Sequence, residues 1–536
     1  VKNFFLSIVV VLFGFSLAAF YHYRNDDIPA KMISIVKIFQ TTPDEKLAIP
    51  IDKTILKVFF EKYPDLKKYE SDVVTLYKNR NYNSIWYDNK GLIEFADMLY
   101  SKVNSLEEEG LKSTLAYASI INGIFNANTS NKISETDTEI LLTTVYVYYA
   151  KKVFQGIDVA KTTDIGWFLP RKNISYDNLL DSLLTDPQLL SKNEKQLFTQ
   201  YYKLRDVLKK YRAIEQSGDW DPIDIDPSIE YYKHNDSSKT IGQIRHHLAV
   251  MGDLKRDSKS NLYDEELMEG VMNFKKRNGY KTNKILSTWQ AQRMNIPIEK
   301  LISTIIVNME RCRWIDPKFT KVPEYIFINI PAFKLNYIKN GKKELESNLL
   351  VGKDMTETVV FSGSISSIVF SPYWTVPRSI IENEIKQAIF QDKNYLESHE
   401  MEWKNGNIIQ RPGVKNPMGL VKFMFPNSND IYLHDTPYKS LFEFDYRAFS
   451  HGCINMDKGK ELAILLLRDD PNWTVASINE AMKGEKQTIH VLKNKIPIYI
   501  GYFTAWVSDD GVINFYNDLY QRDDRLADLL FSDVTE

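Results

Sequence analysis

The sequence predicts an α+β chain of several domains, a helical N-terminal half followed by a C-terminal region built on a mixed or antiparallel sheet. Three observations carry this. The chain has 536 residues, too many for one ordinary core. Apolar residues recur at helical spacing in the first half, at Leu197, Tyr201, Leu204 and Leu208 and again across 139–154. Beyond residue 320 the texture turns to short β-branched and aromatic runs such as 325–330 and 333–338.

Taken in order, residues 4–20 are apolar apart from Ser7, Gly14 and Ser16, with Lys2 before them and Arg24, Asp26 and Asp27 after. That run is near the minimum for a helix crossing a hydrocarbon core of roughly 30 Å. It predicts a membrane anchor at 1–25 with its N-terminus inward and the bulk of the chain exported. The alternative is a signal peptide cleaved near Ser16-Leu17-Ala18. Residues 26–230 follow as a helical scaffold, polar at first, with turn chemistry at 122–131 and at Leu169-Pro170. Four Asp and two Pro within 217–228 predict a linker.

Across 240–296 three amphipathic helices are expected, with stripes at Ile241, Ile244 and Leu248, at Leu267, Val271 and Phe274, and near Trp289. A helix over 298–312 opens the β-rich region, 297–524. Its expected strands are 325–330, 333–338, 349–351, 368–370, 431–434 and 498–502, with helices at 379–390 and 459–467. Few helices among many strands favour an antiparallel or mixed sheet over a doubly wound one. Residues 525–536 read as a tail.

Composition narrows the function. Lys plus Arg (68) nearly balances Asp plus Glu (70), which argues against nucleic acid as the main partner. The two cysteines, Cys312 and Cys453, exclude a disulfide scaffold and a four-cysteine zinc site.

The sharpest local signal is Ser450-His451-Gly452-Cys453. A cysteine nucleophile needs a base for its proton and backbone donors for the oxyanion. Glycine before it permits a tight turn. His434 ends the run Ile431-Tyr432-Leu433, so a strand could deliver it as that base. Other readings stand beside this one. His434, His451 and Cys453 have the ligand count of a catalytic zinc site. Cys453 could also be a buried structural thiol, or pair with Cys312 in an oxidising compartment.

His434, fifteen residues, then Ser450-His451-Gly452-Cys453-Ile454-Asn455 resembles the signature of the L,D-transpeptidase (YkuD-type) catalytic domain. The flanks Asn308-Met309-Glu310-Arg311, Val421-Lys422-Phe423-Met424-Phe425-Pro426-Asn427, Asp435-Thr436-Pro437 and Thr504-Ala505-Trp506-Val507 resemble its long, membrane-anchored branch. The three-helix stretch at 240–296 resembles the small peptidoglycan-binding domain of wall enzymes. Two departures stand out: Asn455 where this branch more often has Arg, and Cys312 where an aromatic residue is expected.

The resemblance implies that Cys453 attacks the amide between the third residue of a peptidoglycan stem peptide and its terminal D-alanine. His434 would move the proton, the Gly452 and Cys453 amides would hold the oxyanion, and His451 would support the turn. Ser450, Asn455, Tyr432 and Asp435 would meet substrate, and 373–426 would form an inserted cap with a mobile loop at 411–419. No cofactor or metal is implied. Partners would be stem peptides, glycan and the membrane. The location would be the outer face of the cytoplasmic (inner) membrane, or the periplasm if the signal is cleaved. An L,D-carboxypeptidase on the same substrate and a non-catalytic wall-binding protein are the competing functions.

Overall fold

A computed structural model describes residues 49–126, 133–190 and 196–531. The expected anchor at 1–25 lies outside them. Among the described residues no helix is long and apolar enough to cross a membrane.

The chain divides into two compact units. The first is Val1–Asp97 with Ala118–Thr144. Its helix Lys53–Lys62 starts at Asp52, whose carboxylate accepts from the Thr54 and Ile55 amides, and buries Leu56, Phe59 and Phe60. The buried Glu139 carboxylate takes the Ile85 and Trp86 amides at 2.6 and 3.0 Å, so a charged group serves as a backbone tie. Asn122, expected in a turn, lies inside the helix Ala118–Phe125.

The second unit is Met98–Tyr117 with Val145–Glu536. Helix α1 (Thr199–Ser217) buries Tyr201, Leu204 and Leu208, the predicted stripe. The stretch expected as a linker is fastened down: Trp220 Nε1 donates to the Ile296 carbonyl at 2.9 Å, and the Ile223 amide to Asn295 Oδ1 at 2.7 Å. Helices α2 (Lys239–Met251), α3 (Glu265–Arg277) and α4 (Thr288–Met294) enclose a core that includes Ile241, Ile244, Leu248, Leu267, Val271 and Phe274. Ser238, Asp264 and Ser287 cap their N-termini.

Helix α5 (Ile298–Trp314) leads into the sheet region. Its strands are β1 (Glu324–Asn329), β2 (Lys334–Lys339), β3 (Lys342–Gly352) and β4 (Ser362–Phe370), then β5 (Trp374–Thr375), β6 (Met401–Lys404) and β7 (Asn407–Gln410). These are followed by β8 (Val421–Met424), β9 (Leu433–His434), β10 (Ala448–Ser450), β11 (Ile454–Met456) and β12 (Thr488–Gly501). Pairing runs β2-β3-β11-β9-β8-β4-β12-β1 and returns to β2, with β10 added beside the end of β3. The sheet is mixed: β9–β11, β10–β3 and β12–β1 are parallel, the rest antiparallel.

Strands β5, β6 and β7 form a separate antiparallel sheet in the cap, over a small core of Val376, Ile380, Ile381, Ile385 and Ile408. The cap was expected to run to 426, but Val421 and Phe423 are buried in β8, so the insertion ends by residue 420. The boundary expected at 524 likewise falls inside helix α6 (Arg522–Phe531), because Arg522, Asp523 and Leu526 are buried. Two distant motif fragments meet here. Asn308 Oδ1 accepts the Thr504 amide at 3.0 Å, and Arg311 pairs with Asp523 at 2.7 Å.

Candidate active site

Parallel pairing of β9 with β11 sets the site. Leu433 stands beside Ile454 and His434 beside Asn455. On the other side His434 is in register with Lys422 of β8. Side chains alternate along a strand, so Lys422, His434 and Asn455 form one row on one face. Tyr432 and Cys453, each two positions earlier, continue that face, and the Ile454 amide donates to the Tyr432 carbonyl at 2.9 Å. The residues singled out in the sequence therefore converge. Lys422, which had been noted only as part of a flanking motif, joins them with its ammonium 3.5 Å from the centroid of the Tyr432 ring.

Cys453, the candidate nucleophile, sits in a braced turn. Gly452 has φ +106, a conformation that side-chain-bearing residues rarely adopt, so glycine is required there. Ser450 Oγ donates to the Cys453 carbonyl at 2.5 Å and accepts the Gly452 amide at 3.2 Å. Its hydroxyl is thus committed within the turn rather than turned toward a substrate. The Gly452 amide is likewise occupied, while the Cys453 amide has no acceptor among the described residues. Threonines that the sequence did not flag complete the brace. Thr358 donates to the Gly452 carbonyl at 2.9 Å and accepts the Gly352 amide at 2.9 Å; Thr356 donates to the Ser450 carbonyl at 3.1 Å. Tyr520 in turn donates to the Gly352 carbonyl at 2.8 Å and accepts the Thr358 amide at 3.2 Å.

His434 is buried, with Nδ1 2.6 Å from the Asp435 carbonyl. A carbonyl only accepts, so Nδ1 carries the proton and Nε2 of the neutral ring is left as the acceptor. Burial, with the nearby Lys422 charge acting in the same sense and the Asp435 carbonyl opposing, lowers its pKa to about 4. Burial raises the Cys453 thiol, while the Tyr432 backbone and the Lys422 charge oppose that rise. Both groups are therefore neutral near pH 7. The thiol rests toward the Asp430 carbonyl, Sγ to O 3.8 Å, rather than on His434.

The remaining expected residues fall elsewhere. His451 is half-exposed and its Nε2 lies 3.0 Å from Glu384 of the cap, so it links the nucleophile turn to the insertion. Asp435 is buried, its carboxylate held by Lys439 at 2.7 Å and the Leu420 amide at 3.0 Å, a structural tie more than a substrate contact. The cap loop expected to move is pinned by Asn416, which donates to the Pro372 and Arg411 carbonyls at 2.9 and 3.0 Å. Among the described residues no group of three or more His, Cys, Asp or Glu could hold a metal ion, because His451 faces the cap while His434 faces the Asp435 carbonyl. Both cysteines are free thiols, and Cys312 is fully buried in α5.

Residues 323–475 match the family model described as L,D-transpeptidase catalytic domain (YkuD), and residues 71–208 one described as Scaffold domain. A curated Haemophilus influenzae protein named "Putative L,D-transpeptidase" is 30% identical over 259 residues, covering 44% of this chain and 52% of that protein. The chain thus spans about half the length of the curated relative it matches. Among solved structures, an L,D-transpeptidase from Mycobacterium smegmatis is 12% identical, covering 33% of this chain and 58% of that one, with a TM-score of 0.19. L,D-transpeptidase 3 from Mycobacterium tuberculosis is 12% identical over 33% and 61%, with a TM-score of 0.20.

Proposed function

We propose that the protein is a peptidoglycan L,D-transpeptidase working through a Cys453 acyl-enzyme, a reading supported by the match of residues 323–475 to the L,D-transpeptidase catalytic domain model. The observation that carries this reading is the pairing of β9 with β11. It sets Cys453 and His434 on one face, with His434 Nδ1 tied to the Asp435 carbonyl and Nε2 left to accept a proton.

In this reading Sγ turns from the Asp430 carbonyl to the amide joining the third stem residue to its terminal D-alanine. The S–C bond forms as the thiol proton passes to His434 Nε2. The Cys453 amide donates to the oxygen that gains charge. Collapse breaks the C–N bond, and His434 returns the proton to the departing D-alanine amine. The side-chain amine of a third residue in a second stem then attacks the thioester and gives up its proton through His434. The products are a new amide cross-link and the free thiol.

The polymer lies outside the cytoplasmic membrane, so the catalytic region is exported, tethered by the apolar run at 4–20. Glycan is held by α2, α3 and α4. Purified protein incubated with stem tetrapeptides tests the assignment. Mass spectrometry should find cross-linked dimers and, on Cys453 alone, a carbapenem adduct. Tripeptide without dimer would make the enzyme a carboxypeptidase. No product, or an adduct persisting on Cys453→Ala, would overturn the reading.

A further inference from the structure

Lys422 is a half-buried cation without a counter-ion. Among the described residues no carboxylate pairs with it and no hydrogen bond takes its ammonium; its partner is the Tyr432 ring at 3.5 Å. Taking a lysine out of water without a carboxylate is costly, so the position calls for a charge that comes and goes. Lys422 shares its face of the sheet with Cys453, and each charge favours the other.

We propose that Lys422, steadied by the face of Tyr432, is the positioning residue that supplies the counter-charge of the Cys453 thiolate. The proposal rests on Cys453 being the acyl carrier. It addresses a difficulty in that reading: burial disfavours both a thiolate on Cys453 and an imidazolium on His434. A fixed ammonium eases the first without needing the second. The other groups that act on Cys453 are the Asp430 charge, which opposes the thiolate, and the Tyr432 backbone, which favours it. Lys422 and the Asp435 charge act on His434 in opposite senses.

The test separates charge from mere loosening. Water entering a damaged site would lower the thiol pKa and raise that of His434, since burial drives both the other way. Loss of the Lys422 charge raises both. Alkylation by iodoacetamide, followed against pH by intact mass, reads the thiol, because Cys312 is buried and Cys453→Ala gives the blank. The His434 ring titration is read by NMR.

In Lys422→Met the thiol inflection should rise by about one pH unit or more, with the His434 titration also rising. Lys422→Arg should stay close to the wild type, and Tyr432→Leu should fall between. Lys422→Gln carries the same expectation if the Met variant does not fold. Coincident inflections in a folded neutral variant, or a thiol inflection that falls, would overturn the proposal. These readouts need no substrate. A wild type that makes no cross-link but shows the shift keeps the counter-charge and loses the transpeptidase reading; cross-links without the shift do the reverse.

Discussion

Thr358 donates its hydroxyl hydrogen to the carbonyl of Gly452 at 2.9 Å, tying the residue before Cys453 to the loop that follows β3. The same oxygen accepts the Gly352 amide, so one buried side chain satisfies two backbone groups. Thr358→Val keeps the shape and leaves both unpaired. Stability should fall by about 2 kcal/mol, the usual scale for buried polar groups left without partners. Carbapenem acylation should slow as well. Thermal unfolding and the acylation rate check the two halves separately.

His434 rather than His451 should be the proton-transfer group. His434→Ala should cost about two to four orders of magnitude in acylation rate, the usual scale for loss of a general base. His451→Ala should cost far less, since its ring points to Glu384 of the cap. A larger loss at His451 would reverse the roles.

The pH dependence of acylation follows from a His434 pKa of about 4. Protonated His434 cannot accept the thiol proton, so the rate should fall below about pH 4 and lie flat from about pH 5 through neutrality. A rise belongs only above the ordinary thiol range of about 8.5, where the thiolate forms without help. A single-turnover profile with a carbapenem reads this directly.

The same group affects stability. Its folded pKa of about 4 lies below the unfolded value of about 6.5, so the unfolded chain binds the proton first as pH falls. Stability present above about pH 6.5 should therefore decline down to about pH 4 and then stop declining on this account. The total is bounded at about 3 kcal/mol. His434→Gln should flatten that part of the melting-temperature profile.

The site was legible in the sequence because it is compact. His434 ends an apolar strand, and the nucleophile turn announces itself through Gly452 and Cys453. What braces that turn was not legible. Thr358 and Tyr520 are ordinary residues in unremarked loops, and only the fold brings them to Gly352 and Gly452. Lys422 was hidden in the same way, its place set by register with His434.

Parts of the sheet were missed for a different reason. The first half of β3, Lys342 to Asn348, is largely polar because it faces solvent, so it lacks the apolar signature that marked β1. Its hairpin turns on Asn340-Gly341, both at positive φ (52 and 75), a turn signal on which none of the expected strand boundaries drew. The short β10 and β11 fall below the length at which alternation shows.

Tyr520, which steadies the Thr358 loop, is made after Cys453 as the chain is synthesised from its N-terminus. During that interval the thiol exists but the strut beneath its turn does not. A chain halted short of residue 520 would carry Cys453 without the phenol that supports the Thr358 loop.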